Sequence, residues 1–435
     1  MKKLTFVLIG AGMRGQSYTK HACLDHGLEC VAVADPSDSR RNFIRDTYGV
    51  KEEMCFTDYK DLLALGKIAD FAMICTQDQM HTEPALMAIE AGYELLLEKP
   101  AAATPEECVK IWKAADEKGV RVLICHVLRY TPFMRKVKDL IDEGHIGKIM
   151  SVIHTEGVGN IHQSHSYVRG NWHKTSDSSN MLLAKSCHDL DILQWLLGSR
   201  CKKIQSFGGL HYFTKENCPE GAPYRCIDGC PHGDKCAYNA VKLYLESDDN
   251  YWFRPVCANK LNPTDAEVEQ AIRTNQYGVC VFQGDNDVVD HQTVNMEFEN
   301  GETVVFTMAA FNLGGRRIRI MGTKGEICSE DFETIELVKF FQDDPTSPNF
   351  GKPETQYIKT NEDTNQEITG GHGGGDAGII DDICLYFGED KPTKSISSVG
   401  TSITNHLYVF AAEKSRAENT VVDIDEYIRS VEESL

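Results

Sequence analysis

The chain of 435 residues contains no apolar run approaching the ~20 residues that a membrane-crossing helix needs. Met1-Lys2-Lys3 ahead of Leu4 to Ile9 has the outline of a secretory leader, but the apolar run is short and leads into a glycine-rich turn instead of a cleavage site. Basic charge is also in short supply. Lysine and arginine total 45 against 65 acidic residues, for a formal charge of -20. Nucleic acid and anionic membrane surfaces both require a basic footprint, so neither is an expected partner. Internal repeats and low-complexity tails are missing, which leaves an ordinary globular chain long enough for two substantial cores. Cysteine, by contrast, is abundant at 16. Most stand singly in apolar runs (Cys30, Cys75, Cys125, Cys280) and read as small buried residues of a reduced, cytoplasmic protein.

What is present begins with a strand, Leu4 to Ile9, running into Gly10-Ala11-Gly12-Met13-Arg14-Gly15 and then a helix. In that setting Gly10 permits the tight turn, Gly12 lets the backbone approach a pyrophosphate, and Gly15 lets the helix lie close to the strand. The helix N-terminus offers free N–H groups and a positive dipole end. A second strand, Glu29 to Ala34, ends in Asp35, 20 residues after Gly15. An acid there binds a ribose 2′-hydroxyl and repels a 2′-phosphate, so NAD is expected over NADP, with Arg40 close enough to bear on the choice. Strands and helices continue to alternate to Cys125, which predicts a doubly wound parallel sheet. Thr104-Pro105 with Glu107 marks a helix start and Gly119 its end. Thr76 and His81 follow the strand Phe71 to Cys75 and are expected to line the cofactor crevice; His81 could equally make a structural hydrogen bond at a helix start.

The apolar run Tyr93 to Leu97 ends in Glu98-Lys99-Pro100. Charges at the end of a buried strand are costly unless they work or pair. The C-terminal end of a parallel strand faces the crevice in which open α/β sheets bind ligands, so Glu98 and Lys99 are expected there. A second element of interest is Met181 to Gly198, amphipathic in its latter half, with Lys185, His188 and Asp189 near its start. Lys185 and His188 are three apart and share a face. Arg169 and Trp172 sit in an aperiodic loop; the indole would stack on a sugar ring or pin the loop.

Taken together, Gly10 to Gly15, Glu98-Lys99-Pro100, Arg129-Tyr130 with Gly144-His145-Ile146-Gly147-Lys148, and His188-x-x-Asp191 running into Trp195-Leu196-Leu197-Gly198 resemble the Gfo/Idh/MocA superfamily (glucose–fructose oxidoreductase, inositol dehydrogenase and relatives). The resemblance covers the first ~200 residues in family order. It implies a Rossmann domain, placed at 1–127, and a C-terminal α+β domain with a large open, mainly antiparallel sheet, at 128–435. It implies hydride exchange between a nicotinamide and a hydroxyl of a sugar or cyclitol, with Lys99 and His188 in the catalytic places. One departure stands out: many dehydrogenases of the family carry aspartate four residues before the histidine, and here Ala184 occupies that place. A lysine desolvated beside a cationic ring gives up its proton more readily, and an imidazole can share or relay it.

Within the second domain, a Pro/Gly-rich insertion at about 215–257 holds Cys218, Cys226, Cys230 and Cys236. Four thiolates on zinc would hold such an irregular stretch together; reduced loop cysteines, a disulfide and an iron–sulfur cluster are the alternatives. Strands are expected at 290–298, 303–310, 316–321 and 334–340, then a polar surface excursion at 342–367. Gly370 to Gly375, interrupted by His372, opens a helix at Asp376; His372 and Asp376 are candidates to reach sugar hydroxyls, or the run is a hinge capped by Asp376.

The expectation is an NAD-dependent sugar or glycoside dehydrogenase and homo-oligomer, dimer or tetramer. Lys99 and His188 form its acid–base pair; Arg129, Tyr130, Arg169, Trp172, Lys185, His372 and Asp376 hold substrate. Two alternatives stand beside it. One is a glycosidase that oxidises, eliminates, adds water and reduces again on tightly bound NAD. The other is a non-catalytic NAD-binding sensor.

Overall fold

A computed structural model describes residues 3–247, 252–342, 345–346, 348–360 and 372–435. The N-terminal part alternates as predicted: β1 (Thr5–Ile9), α1 (Met13–Lys20), β2 (Glu29–Ala34), α2 (Asp38–Tyr48), β3 (Cys55–Phe56), α3 (Tyr59–Leu63), β4 (Phe71–Ile74), α4 (Thr82–Glu90), β5 (Glu94–Leu97), α5 (Pro105–Lys118) and β6 (Val122–Ile124). The six strands pair in parallel in the order β3-β2-β1-β4-β5-β6. The order reverses direction at β1 and β4, the crevice where such sheets take ligands. Local signals act as their chemistry demands: Thr104 accepts from the Glu107 N–H at the start of α5, and Gly119 ends it at φ 64°.

A helix α6 (Pro132–Asp142) leads to β7 (Ile149–Gly157), then α7 (Asn160–His162), which passes into a wide turn over Gln163–Arg169. The long α8 (Met181–Leu197) and β8 (Cys201–Gly209) follow; the insertion runs past its expected end at 257 and fills the whole connection from β8 to β9, with α9 (Phe253–Ala258) and α10 (Asp265–Thr274) in it. The rest of the sheet is β9 (His291–Phe298), β10 (Thr303–Ala309), β11 (Gly315–Gly322), β12 (Gly325–Ser329), β13 (Thr334–Lys339) and β14 (Glu354–Lys359), with α11 (Gly375–Glu389), α12 (Val399–Glu418), β15 (Val422–Asp423) and α13 (Ile424–Glu433) closing the chain. The nine strands run β14-β13-β12-β11-β7-β10-β9-β8-β15, antiparallel except for the β7–β10 pair. β14 corrects the expected surface excursion: Thr334↔Lys359 to Lys339↔Glu354 pair as an edge strand. Its side chains are largely exposed, so no apolar alternation announced it.

One apolar cluster runs through both sheets, from Val7 and Leu97 to Val294 and Ile320, with Leu407 and Tyr408 of α12 in it. α12 joins the two halves: His406 Nε2 accepts from the Ala101 N–H at 3.0 Å, and Asn405 donates to Asp191 of α8 at 2.7 Å. The chain after residue 372 therefore returns to the N-terminal sheet, and a division at 127/128 separates sheets more cleanly than it separates cores. The insertion is also better ordered than its composition suggests. Ala240, Leu243, Tyr244, Phe253, Cys257, Val268, Ile272 and Tyr277 make a small core of their own.

Candidate active site

A crevice of about 580 Å³ opens at the C-terminal ends of β1, β4 and β5. Gly12, Met13, Arg14, Thr76, Glu98, Lys99, Trp172, His188 and His372 line it. The glycines behave as their spacing requires. A Cβ on Gly10, at φ 90°, would stand 2.6 Å from the Cys75 carbonyl oxygen, and one on Gly15 would stand 2.2 Å from that of Gly10. A Cβ on Gly12 would meet nothing within 4 Å. Gly12 caps α1 without a side-chain bond, and the first turn of α1 carries no acid. Open space before an uncapped helix start fits a diphosphate. Asp35 accepts from the Ala11 N–H at 2.8 Å and the Ser37 N–H at 2.8 Å, which closes the turn while leaving further lone pairs on the carboxylate.

Glu98 is fully engaged. Its Oε1 accepts from Arg14 Nε at 2.7 Å and from the Tyr18 hydroxyl at 2.8 Å; its Oε2 accepts from the Lys99 N–H at 2.7 Å. Burial alone would raise the Glu98 carboxyl, but the Arg14 and Lys99 cations outweigh it and hold it below its ordinary value. The Arg14 guanidinium then forks onto Asp376 at 2.6 and 2.8 Å. Ser17 and His372 also bond Asp376, at 3.2 and 3.1 Å. Asp376 is thus a brace between α11 and α1, 1% exposed, and not a hydroxyl ligand. His372 does line the crevice. Gly370 and Gly371 lie outside the described residues.

The catalytic candidates converge. The Lys99–Pro100 peptide is cis, and Lys99 Nζ donates to the Ala184 carbonyl of α8 at 2.7 Å, one turn before His188. The altered position 184 therefore meets the lysine through its main chain. His188 is 4% exposed, and its Nδ1 has no partner. Burial, then the nearby Lys99 cation, then His126, keep its imidazole well below the usual value and so neutral. Lys185 points elsewhere, to Glu156 at 3.3 Å; Glu156 is also paired with Arg316 at 2.8 Å. Burial lowers the Lys185 ammonium more than Glu156 raises it. Arg316 forks on to Asp189, which His154 also holds at 2.7 Å.

Several expected substrate ligands are structural instead. Arg129 is 2% exposed and bonds Asp191 twice at 2.6 Å. The Tyr130 hydroxyl lies 2.7 Å from Ser397 Oγ in the core. Arg169 donates to the carbonyls of Val279 at 2.7 Å and Tyr238 at 2.8 Å. His81 lies 1% exposed between the carbonyls of Pro100 and Thr76, the structural one of its two readings. Trp172 lines the crevice, and Asp78 holds its indole N–H at 3.1 Å; Ser178 and Ser179 donate to the same carboxylate. Burial of a charged or long polar group among fixed partners explains the corrections, because such contacts come from remote segments and leave no local trace.

The zinc expectation is corrected as well. Among the described residues, no group of three or more His, Cys, Asp or Glu is placed to hold a metal. Cys218 and Cys226 accept instead from Gln283 at 3.4 Å and Arg169 at 3.5 Å, and the cysteines are free thiols. The sequence reading missed the insertion's contribution to the crevice: Trp252, Asn259, Lys260 and Tyr277 line it together with Gly12 and Arg40, and Arg40 donates to Asn259 Oδ1 at 3.0 Å. Only the rarity of tryptophan, four in the chain, could have drawn attention to Trp252.

A parallel dinucleotide-type sheet, a glycine turn on an uncapped helix and a lysine–histidine pair define an NAD-binding oxidoreductase fold. The chain belongs to the Gfo/Idh/MocA oxidoreductase family. Residues 4–126 match its NAD-binding Rossmann fold, and 138–424 match its C-terminal alpha/beta domain. It is 24% identical over 336 residues to YteT of Bacillus subtilis, covering 74% of this chain and 73% of that one. It is 27% identical over 206 residues to the 2,7-anhydro-N-acetylneuraminate hydratase of Escherichia coli, covering 47% of this chain and 53% of the hydratase. A solved levoglucosan dehydrogenase, in complex with NADH and L-sorbose, superposes with a TM-score of 0.71 at 18% identity, over 98% of this chain and 99% of that one. Among the described residues no helix is long and apolar enough to cross a membrane.

Proposed function

We propose that the protein exchanges a hydride between NAD and a secondary hydroxyl of a sugar or glycoside, with Lys99 and His188 as its acid–base pair. One observation carries this reading. Lys99, tethered to the Ala184 carbonyl, and His188, one turn later on the same helix, line the crevice that begins at the glycine turn. The dinucleotide, when bound, supplies the hydride acceptor or donor. Gly12 and the start of α1 receive its diphosphate, and the Asp35 carboxylate, just past the end of β2, is the candidate for its ribose. The Lys99 ammonium gives its proton to the carbonyl oxygen as hydride reaches the carbonyl carbon, and in the oxidative direction the amine form takes the hydroxyl proton. His188 is neutral, so it can accept a hydrogen bond or a proton at the same oxygen. Trp172, fixed by Asp78, offers a flat apolar face for a sugar ring.

Incubation with NAD and a panel of sugars and aryl glycosides tests this, following NADH absorbance and released aglycone. Stoichiometric NADH supports a dehydrogenase. Aglycone released with catalytic NAD supports the oxidation–elimination alternative, which the likeness to a relative named a hydratase keeps in view. No reaction across the panel, with NAD bound, favours the sensor.

The face of the nine-stranded sheet turned away from α8 carries Ile153 and its register partner Val305, 47% and 40% exposed, with Phe207 at 51% two strands on. Exposed apolar side chains on a sheet face, Ile153 beside Val305 with Phe207 beyond the strand of Asn295 and Thr293, support a homo-oligomer built through that face. Free thiols throughout suit a reducing, cytoplasmic setting.

A further inference from the structure

Three imidazoles follow one another inward from the crevice. The His188 ring lies 5.6 Å from the His126 ring, edge-on at 78°, and His126 lies 5.3 Å from His406. His126 follows β6 as Lys99 follows β5: Leu97 and Ile124 are register partners, and Lys99 and His126 each stand two residues further on. The parallel sheet thus delivers both side chains to one edge. His126 is 0% exposed, and neither of its ring nitrogens has a hydrogen-bond partner among the described residues. Two unsatisfied nitrogens on one buried ring are costly, so the groups around the ring decide its use. His406 is not available, since its Nδ1 donates to the Ser402 carbonyl at 2.7 Å and its Nε2 accepts from the Ala101 N–H. Asp191 Oδ1 lies 3.8 Å from His126 Nε2, and Arg129 and Asn405 hold that carboxylate in place. His188 is three residues before Asp191 on α8, so one face of that helix presents both to His126. The His188 Nδ1 is itself buried and unpartnered among the described residues.

We propose that His126 is a positioning residue for His188. Its Nε2–H is directed at Asp191, which leaves the Nδ1 lone pair to accept the hydrogen on His188 Nδ1, directly or through one bridging water. The hydrogen bond that one ring nitrogen makes sets what the other can do. A neutral His188 with its hydrogen on Nδ1 carries its lone pair on Nε2, the nitrogen left for the crevice. There it accepts, as the hydroxyl of an alcohol substrate requires. In the other tautomer it would present an N–H to the crevice and compete with the Lys99 ammonium as a donor. His126 thereby keeps one member of the acid–base pair in its competent form, and this role rests on the reading of Lys99 and His188 as that pair. Asp191 is fixed by Arg129, so the tautomer of His188 is set from a rigid carboxylate two groups away.

The tautomer is measurable without a substrate. In the full chain carrying ¹⁵N-labelled histidine, two-bond nitrogen–proton correlation spectra near neutral pH report which ring nitrogen bears the hydrogen, and His188→Gln identifies the His188 signals by their loss. The native chain is expected to show His188 as the Nδ1–H form. His126→Phe keeps a ring against His188 and His406 and removes both nitrogens; it is expected to shift His188 to the Nε2–H form. His126→Asn, whose amide oxygen falls near the lost Nδ1, is expected to bring the Nδ1–H form back. An Nε2–H or doubly protonated His188 in the native chain overturns the proposal, as does an unchanged His188 signal in folded His126→Phe. If His126→Phe does not fold, the native spectrum and His126→Asn still decide. An Nδ1–H His188 that depends on His126, in a chain silent across the sugar panel, keeps the positioning role and removes the acid–base reading. Turnover by a chain whose His188 is Nε2–H does the reverse.

Discussion

Lys99 and Asp376 show how unlike two residues nominated from similar evidence become once folded. Lys99 holds one carbonyl and faces a crevice; Asp376 is saturated by Arg14, Ser17 and His372. Replacing Lys99 by methionine is expected to lower kcat by about 10²–10⁴-fold while NAD still binds, read by turnover and by NAD titration side by side. Retained turnover in that variant would remove the proposed proton acceptor. The histidines make a second prediction. Burial lowers His126 and His165 to about 3 and His406 to about 4. The unfolded chain, with imidazoles near 6.5, binds more protons than the folded one below that pH. Stability is therefore fully present above 6.5 and lost as pH falls towards 4, on the order of 1 kcal/mol per histidine per pH unit. Urea unfolding at pH 7.5, 6 and 5 measures the loss; an unchanged midpoint would contradict their neutral burial.

Helices and turns were the most readable elements, because their signals are local. Thr104, Gly119 and the glycine turn sit where their chemistry placed them. The turn carries a sharper expectation. In Gly15→Ala the new methyl would stand 2.2 Å from the Gly10 carbonyl oxygen, and both are backbone-fixed. Separating α1 from β1 should cost about 1–3 kcal/mol and weaken NAD binding about tenfold or more, measured by titration calorimetry. Wild-type affinity in that variant would mean the turn does not seat the diphosphate. β14 was the hardest element to read, since an exposed edge strand shows no alternation. The insertion was hard for another reason. Its proline, glycine and cysteine suggested an irregular loop in need of metal, whereas a small aromatic core organises it. Chelators should accordingly leave the melting temperature unchanged, and elemental analysis should find no zinc; a stoichiometric metal would reverse that correction.

Considered as one molecule, the protein is two sheets sharing a core through α8 and α12, with a crevice between the first sheet and the insertion. If the uncovered sheet face carries an oligomer, Ile153→Glu with Val305→Glu should shift light-scattering mass to the monomer without loss of the folded spectrum. A native chain that already runs as a monomer would dismiss that interface. Within the chain's own pattern lay the parallel sheet, its dinucleotide turn, and the nomination of Lys99 and His188. The sheet, the turn and the strand-end Lys99 depend on periodicity, glycine sterics or charge within a few residues, whereas the family resemblance put His188 in its catalytic place. Which nominated side chains would be free to act depended on partners far away in the chain. Arg14 meets Asp376 across 362 residues, Arg40 meets Asn259 across 219, and Lys99 meets Ala184 across 85. Packing brings such pairs together, and no local preference encodes them, so the division between the residues that brace the site and those that face it emerged only in the folded chain.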